Sequence, residues 1–147
     1  MNQIFIKEVR AFNRFYTGIL GLLDKHILDS DYSLPEARIL FELYHRPGLT
    51  FSDIMALLGI DKGYLSRILR SFEKNKLVNR VISPADKRSA TLQLTAKGKK
   101  AFEQLNTASN EQVKKIFAGL SEKDCKDLIQ RMAEIQEILD KKKQIHE

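Results

Sequence analysis

The sequence holds 147 residues, 43% hydrophobic and 30% charged, with 25 lysines and arginines against 19 acids and a formal net charge of +6. That balance excludes a disordered chain and fits one globular domain with its own core. No apolar run approaches the ~18 residues of a membrane span. The single cysteine, Cys125, excludes an internal disulfide. The mixed start MNQIFIKEVR is no signal peptide, so a cytoplasmic protein is expected.

The excess positive charge has an address. Residues 61–100 hold 11 lysines and arginines against three acids, whereas the remaining residues are slightly acidic. Such a local footprint points to an anionic partner.

From residue 3 to about 29, Phe5, Val9, Phe12, Tyr16, Ile19, Leu23 and Ile27 step by threes and fours without a proline. The spacing predicts an amphipathic helix of about 25 residues, or ~38 Å. Its stripe exceeds what a small core needs, so a second chain is expected against it. Ser33, Pro35 and Glu36 then open a helix whose core face is Ile39, Leu40 and Leu43, closed by Pro47-Gly48. Thr50 and Asp53 form a capping box ahead of Ile54, Leu57 and Leu58, and Gly59 supplies a left-handed C-cap. Asp61 caps the next helix, so two short helices flank Leu58-Gly59-Ile60-Asp61 as a helix-turn-helix. After Lys76 the period becomes two: LVNRVI and TLQLT flank the polar SPADKRSA, which reads as a hairpin with a basic tip. Thr95 caps a further long helix, Gly119 ends it, and Ser121 starts the last one, where Cys125, Leu128, Met132, Ile135 and Leu139 recur every three or four residues.

The segment GYLSRILRSFEK concentrates the chemistry. Leu65, Ile68, Leu69 and Phe72 form one apolar face; Gly63, Ser66, Arg67, Arg70 and Lys74 form the other. A polar face with two arginines is ordinary solvated surface unless its context says otherwise. Here the context is a helix-turn-helix followed by a basic hairpin. Gly63 and Ser66 keep the leading face low enough to enter a major groove, and Arg67 and Arg70 supply guanidinium forks for a guanine edge or a phosphate. Lys62 and Tyr64 lie on the shoulders, and Thr50 and Ser52 open the preceding helix, where a hydroxyl and amides can face phosphate.

These pieces, LTFSDIMALLGIDKGYLSRILRSFEKNKLVNR and then SPADKRSATLQLTAKGKKAF, resemble the MarR family of bacterial transcription regulators in order and spacing. The D-x-R of Asp86 and Arg88, followed by a strand ending in LTAKG, is the most specific part. The resemblance implies a mainly α fold with a small β-hairpin wing. It implies a single domain over 1–147, with dimerisation helices at about 1–30 and 100–142 and a winged helix-turn-helix lobe at about 33–98. It further implies a homodimeric repressor on a pseudo-palindromic duplex, with Arg88 entering the minor groove, Lys87 beside it and Asp86 bracing the wing. Phe5, Val9, Leu128, Met132, Ile135 and Leu139 are the expected dimer contacts. A small aromatic or phenolic effector is implied between the dimer helices and the DNA-binding lobe, with Phe12, Phe15, Tyr16 and Tyr44 as candidate linings; core or interface packing is the alternative for each. Family members usually carry glycine where this sequence has Lys76. Asn75 tolerates left-handed backbone better, so the helix cap is expected one residue earlier.

Other chemistries find little footing. Cys125 lies on an apolar stripe of the last helix, a packing position rather than that of an oxidant sensor. His26, His45 and His146 are scattered without ligand spacing, so neither metal nor cofactor is expected. Residues 9–40 also resemble the start of MarR-like regulators fused to a GNAT acetyltransferase. The chain lacks the R/Q-x-x-G-x-G/A loop of such an enzyme, so it is expected to be no enzyme itself, the alternative being the DNA-binding half of one. A winged helix that docks an acidic protein is the third reading, distinguished by its indifference to duplex DNA.

Overall fold

The computed structural model describes residues 2–22, 24–82 and 90–144. Helix α1 covers Gln3–Ile19, α2 Leu34–His45, α3 Phe51–Leu58, α4 Lys62–Lys74, α5 Ala96–Phe117 and α6 Glu122–Gln144, with strands β1 Val78–Ile82 and β2 Ala90–Leu94 between α4 and α5. The mainly α fold with a two-stranded antiparallel hairpin is therefore as expected from the sequence. Two compact units are distinguished, Met1–Gln112 and Val113–Glu147.

The first helix is shorter than its periodicity predicts: 17 residues, about 26 Å. The apolar spacing continued past Ile19, but the backbone does not. Gly21 takes φ +62°, its N–H reaches the Gly18 carbonyl at 3.1 Å, and the Leu22 N–H reaches Thr17 at 3.1 Å. This paired closure terminates α1. Ile27 is nevertheless buried, delivered by a loop in which Leu28 and Asp29 are left-handed. Leu23 lies outside the described residues.

The core of the first unit gathers the faces foreseen for α2 and α4. Ile39, Leu40, Ile54, Leu65, Leu69 and Phe72 are essentially sealed from solvent, joined by Val78 and Leu92 from the hairpin and Phe102 and Leu105 from α5. Burying each such side chain is worth about 1.5–3 kcal/mol. The hairpin register pairs Val78 with Leu94, Arg80 with Leu92 and Ile82 with Ala90. A stub absent from the sequence reading extends it: Thr50 bridges Thr91, and the Leu92 N–H reaches the Leu49 carbonyl at 2.8 Å. The hairpin is thereby tied to the entry of α3.

The caps follow the sequence with one exception. Asp53 accepts the Thr50 N–H at 2.8 Å and returns its own N–H to Thr50 Oγ1 at 3.2 Å. Gly59 is left-handed, Asp61 Oδ1 accepts the Tyr64 N–H at 3.0 Å, and Thr95 Oγ1 accepts the Gly98 N–H at 3.0 Å. After α4, however, Asn75 stays at φ −84° and Lys76 takes φ +59°. The expected shift of the cap to Asn75 does not occur. Leu77 N–H must reach Phe72 O, at 2.8 Å, and Lys76 N–H Glu73 O, at 3.0 Å; that pair of bonds places the left-handed turn at Lys76 whatever residue stands there.

In the second unit Gly119 turns the chain at φ +83°, and Ser121 Oγ accepts the Asp124 N–H at 3.1 Å. On α6, Cys125, Leu128 and Met132 are half-buried, and Ile135 and Leu139 are exposed. Among the described residues no helix is long and apolar enough to cross a membrane, and no cluster of histidine, cysteine and carboxylate side chains is placed to hold a metal.

Candidate nucleic-acid interface

Helix α4 is fixed by its apolar face. Leu65, Ile68, Leu69 and Phe72 are all buried, which turns Lys62, Gly63, Arg67, Arg70 and Lys74 outward as exposed residues, with Tyr64 and Ser66 half-buried between. The polar face drawn from the sequence is thus one continuous surface. Gly63 has only the Asp61 carboxylate at 3.4 Å from where a β-carbon would stand, so nothing in the packing of the fold requires glycine there.

Not every charge of the basic window remains available. Arg80 on β1 is ion-paired with Glu73 of α4, and Lys97 Nζ donates to the Asn75 carbonyl at 3.0 Å. Among the described residues Lys62, Arg67, Arg70 and Lys74 have no ion pair. Arg67 is set apart: its guanidinium carbon stands 5.6 Å from the centroid of the Tyr64 ring. The sequence reading missed this contact, although tyrosine and arginine three apart on a helix are neighbours by geometry. The Glu73–Arg80 pair joins a helix to a strand and has no local signature.

At the entry of α3, both donors of Thr50 are taken, its N–H at 2.8 Å and its hydroxyl at 2.7 Å, each by Asp53 Oδ2. These bonds hold the Asp53 carboxyl below its usual pKa range. Ser52, next to it, is exposed. The wing positions Asp86, Lys87 and Arg88 lie outside the described residues.

The candidate effector linings fall into two groups with no ring contact between them among the described residues. Phe12 and Tyr16 stack at 5.6 Å along α1, with Phe15 exposed nearby in sequence. Tyr44 instead packs on Phe102 at 4.2 Å and, with Leu43, Pro47, Gln93, Leu94 and Lys99, lines an open hollow of about 420 Å³. His45 Nδ1 lies 2.9 Å from the Phe41 carbonyl, and Cys125 is half-buried. His146 lies outside the described residues.

The sequence model of the MarR family matches residues 30–89, a segment that includes α2, α3, α4 and β1. Over that segment the chain is similar to the MarR family. Among curated relatives, the HTH-type transcriptional regulator PetP of Rhodobacter capsulatus is 28% identical over 111 residues, 76% of this chain and 67% of PetP. Two further HTH-type regulators are matched over 58% and 57% of their own lengths, so the chain spans less than two thirds of each. Streptococcus pneumoniae FabT, solved in complex with DNA, superposes with a TM-score of 0.77 at 21% identity, covering 93% of this chain and 98% of FabT. Bordetella bronchiseptica BpsR, whose DNA binding is regulated by 6-hydroxynicotinic acid, gives 0.68 at 18% identity over 88% of this chain and 98% of BpsR. The fold is that of the winged-helix MarR regulators.

Proposed function

We propose that this chain is a transcription regulator of the MarR family that binds double-stranded DNA sequence-specifically, acts as a homodimeric repressor and is released by a small aromatic ligand. The observation that carries the reading is the exposed cationic face of α4 set against its fully buried apolar face. A helix of that width fits a major groove, and two α4 helices related by a twofold axis would meet half-sites ~34–36 Å apart. Arg67 and Arg70 are the donors for base edges or phosphates, with Lys62 and Lys74 on the backbone. Because Thr50 is occupied by Asp53, the phosphate contact at the entry of α3 falls to Ser52. Wing contacts fall to Lys87 and Arg88, with Asp86 as brace.

The dimer reading is supported by α1, which buries none of its residues and leaves Phe5 and Val9 more than half exposed. Leu128, Met132, Ile135 and Leu139 of α6 are its second expected contact. The effector reading is supported by the hollow beside Tyr44, where an aromatic ring finds Leu43 and Pro47 and an acidic substituent finds Lys99. Release then requires only that the ligand bind the conformation with poorer DNA affinity more tightly.

The test is selection of bound duplexes from a random pool, followed by titration of the winner at several salt concentrations. A regulator gives a pseudo-palindromic consensus, and its affinity falls with salt by a log–log slope near −0.9 per neutralised phosphate. Binding indifferent to both sequence and salt would sink the reading.

A further inference from the structure

We propose that Tyr64 is a positioning residue for Arg67, and that this pairing makes Arg67, rather than Arg70, the arginine that reads a base edge. The inference rests on the DNA-binding reading above.

Arg67 and Arg70 lie three residues apart on one exposed face, and their sequence context does not distinguish them. Their surroundings do. The Tyr64 ring is half-buried and packs against the hydrophobic core, while its backbone N–H is held by Asp61 Oδ1 at 3.0 Å. It is therefore a fixed platform. The Arg67 guanidinium rests over that platform, 5.6 Å from the ring centroid, and a cation above an aromatic face is attracted by the ring quadrupole.

Arg70 has no such support. The acid three residues further on, Glu73, is its natural partner by helix geometry, but that carboxylate is bound to Arg80. Among the described residues Arg70 has neither an aromatic platform nor an ion pair. The two tasks in a groove ask for different side chains. Bidentate pairing with guanine requires a plane and a direction, and ordering the side chain before docking removes that cost from binding. A phosphate accepts from many directions and tolerates a free side chain. The restrained arginine suits the base and the free one the backbone. In this arrangement Tyr64 acts through the face of its ring, and its hydroxyl makes no essential phosphate contact.

The experiment measures the ratio of affinities for the selected duplex and an unrelated duplex of equal length, for the full chain and its variants, with thermal unfolding of each. Tyr64→Phe should keep the wild-type ratio. Tyr64→Met should lower it about 2–5-fold at unchanged salt slope, and that loss should vanish in an Arg67→Ala background. Arg67→Ala should lower the ratio about 5–100-fold. Arg70→Ala should weaken both duplexes alike and reduce the salt slope by about 1. The proposal is overturned if Tyr64→Phe loses as much as Tyr64→Met, if the Tyr64→Met loss persists without Arg67, or if Arg70→Ala is the variant that relaxes base preference. Should Tyr64→Met fail to fold, Tyr64→Leu, which also removes the ring, takes its place with the same expected and overturning outcomes. A wild-type chain that retards no duplex at all would instead defeat the DNA-binding reading on which this one stands.

Discussion

The carbonyl oxygen of Leu77 presses so closely on Gly98 that a β-carbon built there would stand 2.1 Å from it. The same carbonyl accepts the Thr95 N–H at 3.0 Å, and Thr95 Oγ1 caps α5 through the Gly98 N–H. The first turn of α5 is thus docked on the residue that leads into β1, and glycine is what lets it come that near. Alanine would gain roughly 0.5–1 kcal/mol of helix preference. Against that stands the shift needed to relieve a backbone clash, and overpacking of this kind costs about 1–3 kcal/mol or more. Gly98→Ala should therefore be net destabilising by about 1–2 kcal/mol, seen as a lower urea midpoint at unchanged slope. Gly18→Ala is the control: no atom lies within 4 Å of its added carbon, and it should be neutral or stabilising.

Lys76 holds a left-handed backbone at φ +59°, in a position where the hydrogen bonds of the α4 terminus demand it. An L-residue with a β-carbon loses roughly 1–2 kcal/mol there. Lys76→Gly should recover on the order of 1 kcal/mol, a rise in Tm of about 2–5 °C for a chain of this size. Asn75→Gly, at φ −84°, should give no such gain. Differential scanning calorimetry of the two variants separates these outcomes, and equal effects would contradict the assignment of the cap.

The Asp53 carboxylate accepts from both the backbone and the side chain of Thr50, which lowers its pKa from the ordinary 3.8. A group whose folded pKa is depressed stabilises the fold fully above its unfolded value and loses that contribution as pH falls through the folded one. Thermal stability should therefore decline below about pH 4 with a component that Asp53→Asn removes. Tm measured from pH 7 down to pH 2 tests this. A variant whose acid slope parallels wild type throughout would show that Asp53 adds nothing to it.

Much of this architecture was legible because its signals are local. Thr50 with Asp53, Gly59, Asp61 with Tyr64 and the stripe of α4 each combine a residue type with a fixed short spacing, and each appears where it was expected. The failures share a different cause. Leu23 and Ile27 stay in helical step after Ile19, yet periodicity cannot see Gly21 closing the helix or Ile27 reaching the core from a loop. Asn75 is the better residue for left-handed backbone, but its preference is weaker than the two hydrogen bonds that put the turn at Lys76. The Thr50–Thr91 bridge and the Glu73–Arg80 pair join segments distant in sequence and leave no mark on either. Within the candidate interface, residue type and spacing place the side chains on α4 but do not show that Thr50 is engaged by Asp53 or that Arg67, beside Tyr64, has surroundings that Arg70 lacks.

Helix α1 makes the sharpest prediction about assembly. Ile4, Phe5, Val9, Phe12 and Phe15 are each at least half exposed, a contiguous apolar surface of the kind that monomers seldom leave open. In a twofold interface each residue is buried twice, so covering a phenylalanine contributes about 3–6 kcal/mol per dimer. Replacing it with a charge should weaken dimerisation by more than ~100-fold. Sedimentation equilibrium should accordingly give a dimer for the wild-type chain and a monomer for Phe5→Glu at micromolar concentration. Lys7→Glu, on the polar side of the same helix, should remain dimeric. Because each monomer carries a single α4, Phe5→Glu should also lose the joint recognition of two half-sites while keeping weak, salt-sensitive binding to one. A wild-type monomer, or a Phe5→Glu dimer as tight as wild type, would show that this stripe faces something other than a second copy.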